Sequence, residues 1–191
     1  MKVLLASASQ ARKKILEDAG YDLVHISSRI DESKKNDETP KAYAMRLAEE
    51  KSKKITQDFA VDFILTADTV VVCEEEVLGK PASADDAFLM MRKLSGRMHE
   101  VITALSLRRA DDKTFQTLIT RSEISEVEFR TLSEKEISEY VQSGLWKEKA
   151  GGYGIQDDHN FVKTLHGNKS NVVGVSLPLL EEMLAEFEAK K

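Results

Sequence analysis

The chain has 191 residues, of which 41% are hydrophobic and 32% charged, a composition ordinary for a globular protein large enough to bury a core. Its 33 acidic and 28 basic residues give a formal net charge of −5, which disfavours duplex nucleic acid as a partner. No stretch approaches the roughly 20 apolar residues of a membrane span, and the single cysteine, Cys73, cannot form an internal disulfide, so we expect a cytoplasmic protein.

The first half of the chain is predicted to alternate strands and helices, because apolar runs alternate with stretches of helical periodicity. Ser7 or Ser9 caps the first helix, and Gly20 ends it. In chain order the predicted elements are a strand over 3–6, a helix ending before 20, a strand over 21–26, a polar loop over 31–39, a helix from 40 to about 57 and a strand over 63–73.

The second half contains two capping-box patterns, one at Ser83 with Asp86 and a cleaner one at Ser133 with Glu136. Its predicted elements are a turn over 79–81, a helix ending at 96, antiparallel strands over 99–109 and 114–129 joined by a hairpin connection over 110–113, a helix ending at 144, a glycine-containing loop over 149–156, short strands over 161–165 and 172–175, and a helix from 178. This order predicts an α/β fold with a mixed central sheet flanked by helices, in two lobes with a cleft between them.

The segment from Ser7 to Lys14 is a candidate phosphate site. It stands where a strand enters a helix, and a helix N-terminus offers free backbone N–H groups and a partial positive charge. Three basic residues follow the serines, and an anionic ligand would offset their unfavourable position near the helix start. The alternative is that the serines only cap the helix and the basic side chains face water.

Asp68 stands inside an otherwise apolar strand, where an ionised carboxylate costs several kcal/mol unless it is paired, hydrogen-bonded or bound to a metal. Such a carboxylate could act as a general base toward water or as a ligand for Mg²⁺. A position at a solvent-facing end of the strand is the alternative, and apolar residues on both sides of Asp68 weaken it.

Other polar residues carry less information by themselves. Glu32 and Lys51 are, alone, more typical of solvated surface charges, and Lys80 of an ordinary turn. The glycines over 151–154 would let backbone approach a ligand, and the amide of Gln156 could read a base edge, although a flexible linker is the alternative. None of the four histidines has metal-ligand spacing, so a structural zinc site is not expected.

Taken together, eight ordered segments resemble the Maf family of nucleoside triphosphate pyrophosphatases. They are LASASQAR at 5–12, similar to S-x-S-P-R-R, DE at 31–32, RLAEEK at 46–51, ADTVV at 67–71, LGKP at 78–81, LSGRMHEV at 94–101, KAGGYGIQ at 149–156 and SNVVG at 170–174. The resemblance spans nearly the whole chain and implies a single Maf-like domain over 1–191, related in fold to inosine triphosphatases.

The resemblance implies hydrolysis of a nucleoside triphosphate to its monophosphate and pyrophosphate, with a divalent metal, Mg²⁺ or Mn²⁺, often in a homodimer. Glu32 and Asp68 are the implied metal ligands. The implied catalytic residues are Arg12, Glu32, Lys51, Asp68 and Lys80, and the implied substrate-binding residues are Ser7, Ala11, Thr69 and Gln156.

Three of these positions distinguish the branches of the family. Thr69 and Gln156 resemble the branch that acts on dTTP and UTP, and we expect those substrates, modified pyrimidine nucleotides included. Ala11 resembles neither that branch, which has arginine there, nor the branch acting on 7-methylguanosine triphosphate, which has an aromatic residue. Action on 7-methylguanosine triphosphate, or a non-catalytic nucleotide-binding role in regulating septum formation, are the alternatives.

Overall fold

The computed structural model describes residues 1–28, 30–157 and 159–189. In chain order its elements are β1 (Lys2–Ala6), α1 (Gln10–Asp18), β2 (Asp22–Ile26), α2 (Pro40–Lys53), β3 (Phe63–Cys73), β4 (Glu76–Leu78), α3 (Ala84–Leu94), β5 (Met98–Arg109), β6 (Ile119–Phe129), α4 (Glu134–Ser143), 3₁₀ turns at Ala150–Gly152 and Ile155–Asp157, β7 (Val162–His166), α5 (Lys169–Val173) and α6 (Leu177–Ala189). Among the described helices, none is long and apolar enough to cross a membrane.

The strands form one mixed sheet in the order β2-β1-β3-β5-β6-β7, with β4 paired to the end of β3. β1 runs parallel to β2 and β3, and the pairs β3–β5, β5–β6 and β6–β7 are antiparallel. The predicted mixed central sheet is therefore confirmed.

One edge of β3 has a gap. β5 pairs with residues 63–72 along one edge, whereas the opposite edge is shared by β1, which pairs with residues 63–65, and β4, which pairs with residues 71–73. Within the described chain, residues 66–70 have no strand partner on that edge. Since β1 ends at Ala6, the gap lies just beyond its carboxyl end, where α/β sheets commonly bind ligands.

The two faces of the sheet are covered differently. On one face, α2 packs Ala44 and Ala48 against Val70. On the other face, one apolar cluster joins α6 to the first half of β3, and a second joins α3 and α4 to the end of β3. Thr69 and Thr103 face each other in register between these two clusters. This division gives the two lobes and the cleft that the sequence predicts.

Two predicted strands are wrong in part or whole. Residues 172–175 were expected to be extended, but α5 covers Lys169–Val173 because the Asn168 side chain accepts the Ser170 N–H at 2.9 Å and caps a helical turn. Residues 114–118 belong to a loop rather than to β6, since the Asp112 carboxylate accepts the N–H groups of Thr114 and Thr117 at 3.0 and 2.6 Å. The second helix also ends at Lys53, before the predicted 57, and β4 was not predicted.

The loop before α2 is fixed by a double ion pair between Arg46 and Glu38, with Nε–Oε1 at 2.6 Å and Nη2–Oε2 at 2.9 Å. Arg46 Nη2 also donates to the Ser33 carbonyl at 3.0 Å. Paired guanidinium–carboxylate bonds fix geometry as well as adding energy. They therefore hold the segment that carries Glu32.

We expect Glu38→Gln to lower the free energy of unfolding by about 2 kcal/mol at neutral pH, since it removes charged hydrogen bonds. Hydrogen bonds from Arg46 lower the pKa of Glu38 from 4.5 to about 2. The stability that this pair adds is thus complete above pH 4.5 and lost as pH falls through 2. Urea unfolding of both proteins from pH 2 to 7 should show a difference that shrinks on acidification. A constant difference, or an equal effect of Glu49→Gln in the exposed Glu49–Lys53 pair, would contradict this.

Candidate active site

A cleft of about 920 Å³, including space open to solvent, lies at the gap in β3. Its walls come from the β1–α1 junction, the loop before α2, β3, the turn after β4 and the 149–157 loop. All nine sequence-predicted site residues line it, namely Ser7, Ala11, Arg12, Glu32, Lys51, Asp68, Thr69, Lys80 and Gln156. The structure therefore brings together residues that are separated by up to 149 positions.

Asp68 is held by a buried lysine from α2. Lys51 Nζ lies 2.5 Å from Asp68 Oδ1 and 2.8 Å from Glu32 Oε1. Only 7% of Lys51 and 8% of Asp68 are exposed. The interpretation of Lys51 as a solvated surface charge is wrong, because packing of α2 against β3 turns this side chain into the cleft.

Burial raises the pKa of the Asp68 carboxyl above its ordinary value, and the charges of Lys51 and Arg12 reduce that rise without cancelling it. Glu32 behaves in the opposite way. Burial tends to raise its pKa, but the hydrogen bond and charge of Lys51, with the charges of Lys80 and Arg12, together hold it below the ordinary value. The cleft thus contains two neighbouring carboxylates of different basicity.

Arg12, in the first turn of α1, is fixed by hydrogen bonds to three neutral acceptors. Its Nε donates to the Gly174 carbonyl at 2.9 Å, Nη1 to Ser7 Oγ at 3.0 Å and Nη2 to Thr69 Oγ1 at 2.9 Å. A Cβ on Gly174 would lie 3.0 Å from Arg12 Nε, so the absence of a side chain at this position avoids a steric clash with the guanidinium group. Among the described residues no carboxylate forms an ion pair with Arg12, and this leaves its guanidinium available to an anion in the cleft.

The other two bases of the predicted phosphate segment point elsewhere. Lys13 pairs with Glu17 at 3.7 Å and Lys14 with Asp18 at 2.9 Å, both on the surface of α1. Ser9 is the N-cap, and its Oγ accepts the Arg12 N–H at 3.3 Å. Both alternatives raised by the sequence are thus present, since Ser9 caps the helix while Ser7 and Arg12 face the cleft.

Behind Arg12 lies a buried polar network that the sequence did not reveal. Thr69 Oγ1 lies 2.8 Å from Thr103 Oγ1, and Thr103 donates to the Asn171 carbonyl at 2.8 Å. The Asn171 amide donates to Val101 O at 3.0 Å. Thr103 and Asn171 are fully buried. This network docks α5 and the Gly174 carbonyl that orients Arg12; the SNVVG segment was the signal available in the sequence.

Lys80 and Gln156 occupy the outer part of the cleft. Lys80 Nζ lies 3.8 Å from Glu32 Oε2 and 3.6 Å from Glu148 Oε2. Its exposed ammonium group spans the cleft mouth and can reach an incoming anion. Gln156 is exposed on the opposite loop, with amide donors and acceptors free to face a ligand.

Two carboxylates of the cleft, Glu32 and Asp68, are the candidate ligands for a divalent cation. Lys51 pairs with Glu32 Oε1 and Asp68 Oδ1, and Glu32 Oε2 lies 3.8 Å from Lys80 Nζ. No group of three or more acidic, His or Cys ligands is present among the described residues. Two carboxylates that rely on substrate phosphates and water for the remaining positions suit Mg²⁺ or Mn²⁺.

Lys51→Met should lower the free energy of unfolding by about 3–5 kcal/mol at neutral pH, because it leaves buried Asp68 without its nearest counter-charge. A carboxyl group whose pKa is higher in the folded than in the unfolded state destabilises the fold above that pKa. Losing Lys51 raises the pKa of Asp68 further, so the stability loss should shrink as pH falls and Asp68 takes up a proton. Chemical unfolding between pH 4 and 8 measures this.

The double variant Lys51→Met/Asp68→Asn should recover most of the lost stability, since the uncompensated charge is gone. Lys53→Met, on the exposed side of α2, is the matched control and should change stability by less than about 1 kcal/mol. A double variant no more stable than Lys51→Met would refute the electrostatic explanation.

Known proteins resemble this chain over nearly its whole length. The family model described as Maf-like protein matches residues 2–187. A dTTP/UTP pyrophosphatase of Syntrophomonas wolfei subsp. wolfei is 41% identical over 182 residues, 95% of each chain, and one of Clostridioides difficile strain 630 is 40% identical over 98% of this chain and 95% of that one. A solved HAM1 protein from Coxiella burnetii shares the fold with a TM-score of 0.51 at 13% identity, covering 97% of this chain and 99% of that one. The chain belongs to the Maf family.

Proposed function

We propose that this protein hydrolyses nucleoside triphosphates to the monophosphate and pyrophosphate, with dTTP and UTP as preferred substrates. The observation that carries the proposal is Asp68, a buried carboxylate of raised pKa that opens on a cleft lined by cations. The names of relatives about 40% identical over nearly the whole chain support the same reaction.

Asp68 is the proposed general base. It takes a proton from water as the water oxygen attacks a phosphorus of the α–β anhydride. The bond from that phosphorus to the bridging oxygen breaks, and the monophosphate and pyrophosphate separate. A base works best when its pKa approaches the working pH, and burial moves Asp68 in that direction. Lys51 keeps the carboxylate in place and limits the rise of its pKa.

The cations serve the phosphate chain. Arg12, oriented by Ser7, Thr69 and Gly174, presents a rigid guanidinium to phosphate oxygens. Lys80, at the mouth, would offset charge on the departing pyrophosphate. The N–H groups at the start of α1 add a further anion-binding surface beside Ser7.

Glu32 and Asp68 would hold the divalent metal through carboxylate oxygens. When bound, the metal would neutralise phosphate charge and activate water. The low pKa of Glu32 keeps this group ionised and able to bind a cation at neutral pH.

Base selection is assigned to the outer cleft. Gln156 can pair with the polar edge of a pyrimidine, and Ala11 presents a small methyl group to the cleft. The Thr69 hydroxyl bonds to Arg12 and Thr103, so we assign its effect on substrate choice to the placement of Arg12. A homodimer in the cytoplasm, built from a single domain over 1–191, remains part of the proposal.

Asp68→Asn should keep the fold and lower kcat by about 10²–10⁴-fold, the range that a general base contributes. Pyrophosphate release with Mg²⁺ or Mn²⁺ measures the rate, and thermal unfolding checks the fold. Asp111→Asn, in the exposed loop after β5, is the control and should keep the wild-type rate. A folded Asp68→Asn protein with near-normal turnover would falsify the assigned role.

With a panel of triphosphates, kcat/KM should be higher for dTTP and UTP than for 7-methylguanosine triphosphate, because Thr69 and Gln156 are present. The reverse order would sink the substrate assignment while leaving the reaction intact. Tight binding without turnover of any member, under either metal, would instead support the non-catalytic regulator.

A further inference from the structure

The 149–157 loop is anchored firmly in its first half. A Cβ on Gly151 would lie only 3.0 Å from Val71 Cγ2, which shows how closely this backbone packs on β3. Tyr153 is buried, and its OH lies 2.7 Å from His99 Nε2. The first half of the loop is therefore an extension of the rigid sheet.

The second half carries Gln156 and is tied back to the first residue of the loop by an ion pair. Lys149 Nζ contacts Asp157 Oδ2, and their side chains are only 21% and 12% exposed. Taking two charges out of water costs free energy that their attraction roughly offsets, so such a pair is weak evidence for added stability. Its structural effect is to close the two ends of the loop on each other.

Gly154 shows that Gln156 and Asp157 are placed together. A Cβ at this position would lie 2.3 Å from Gln156 Nε2 and 2.9 Å from Asp157 Oδ2. Both side chains therefore pass over the same glycine, side by side. Gln156 and Lys149 line the cleft, whereas Asp157 does not. The Asp157 carboxylate can therefore affect ligand contacts through its neighbours, Gln156 and Lys149.

We propose that the Lys149–Asp157 ion pair determines base specificity by positioning Gln156. The inference rests on the proposed function in one respect, that a nucleobase faces Gln156. Lys149 holds the Asp157 carboxylate over Gly154, and the carboxylate confines the amide to the cleft side. Asp157 is thus a positioning residue, and its effect should fall on the choice between bases.

The test measures binding by calorimetry with non-hydrolysable α,β-methylene analogues of dTTP and dATP in Mg²⁺. Asp157→Asn should lower the ratio of the two affinities by about tenfold, the value of one well-placed hydrogen bond. Gln156→Ala should lower it by a similar factor. In the double variant the second substitution should add nothing, because Asp157 acts through Gln156. Asp157→Glu, which can keep the ion pair, should retain most of the wild-type ratio.

Glu128→Gln is the matched control. It removes the acid from another lysine–carboxylate pair, Lys163 Nζ to Glu128 Oε1 at 2.8 Å on β6 and β7, outside the cleft, and should leave the ratio unchanged. Thermal unfolding of each variant confirms that the fold is intact.

The inference would be overturned by an unchanged affinity ratio in Asp157→Asn, or by a double variant in which the two single effects on that ratio multiply. Equally tighter binding of both analogues to Asp157→Asn would also overturn it, because it would mean that Lys149 is released toward the phosphates. A wild-type protein that prefers the dTTP analogue but hydrolyses no triphosphate would overturn the proposed reaction. The affinity ratios of the Asp157 and Gln156 variants would then still decide whether the loop inference is correct. Turnover with an Asp157-independent preference would overturn the loop inference alone, and failure to bind either analogue would overturn both.

Discussion

The site depends on the burial of one carboxylate, Asp68, in the central strand β3 and on its contact with Lys51. A lone ionised aspartate there would cost several kcal/mol, and the ion pair with Lys51 offsets that cost. That cation is available because α2 packs small residues, Ala44 and Ala48, against the sheet and lies close enough for its lysine to reach the strand. The packing of α2 on the sheet therefore places Lys51 beside Asp68 and so affects the basicity of the carboxylate.

The gap in the edge of β3 explains how side chains on opposite faces of this strand can contact the same ligand in the cleft. Successive side chains of a strand point to opposite faces, so Asp68 meets Lys51 on the α2 side while Thr69 meets Arg12 on the other. In a fully paired strand, flanking backbone would separate these two environments from a common ligand. Because residues 66–70 have no strand partner on one edge within the described part of the chain, a phosphate chain can contact groups on both sides.

Local sequence patterns predicted most of the strands, most helix caps and Asp68 as a residue of interest, because apolar runs, capping residues and an isolated charge are visible within a few positions. Lys51 was misjudged from its own surroundings, since its burial depends on a strand 17 positions away. Asn171 was missed as a polar anchor for the same reason, because its partner Val101 lies 70 positions away. The 172–175 error has the same origin: valine-rich sequence favours a strand, but a side-chain cap and tertiary packing determined a helical turn. Family resemblance supplied what local patterns could not, by joining distant segments into one site.

In the proposed reaction, the charges of the cleft would couple metal and triphosphate. Lys51 and Lys80 contact the two oxygens of the same Glu32 that would hold a cation. A cation bound to Glu32 would weaken its ion pairs with Lys51 and Lys80, which would leave more of the lysines' positive charge to a phosphate. A phosphate bound to the lysines would likewise leave more of the negative charge of Glu32 to a cation. Such coupling is reciprocal: each ligand must alter the affinity for the other by the same factor. Arg12 is hydrogen-bonded to neutral acceptors, so Glu32 acts on it only through its charge and not through an ion pair. The site thus combines one cation held by neutral groups with two whose ion pairs depend on the state of Glu32.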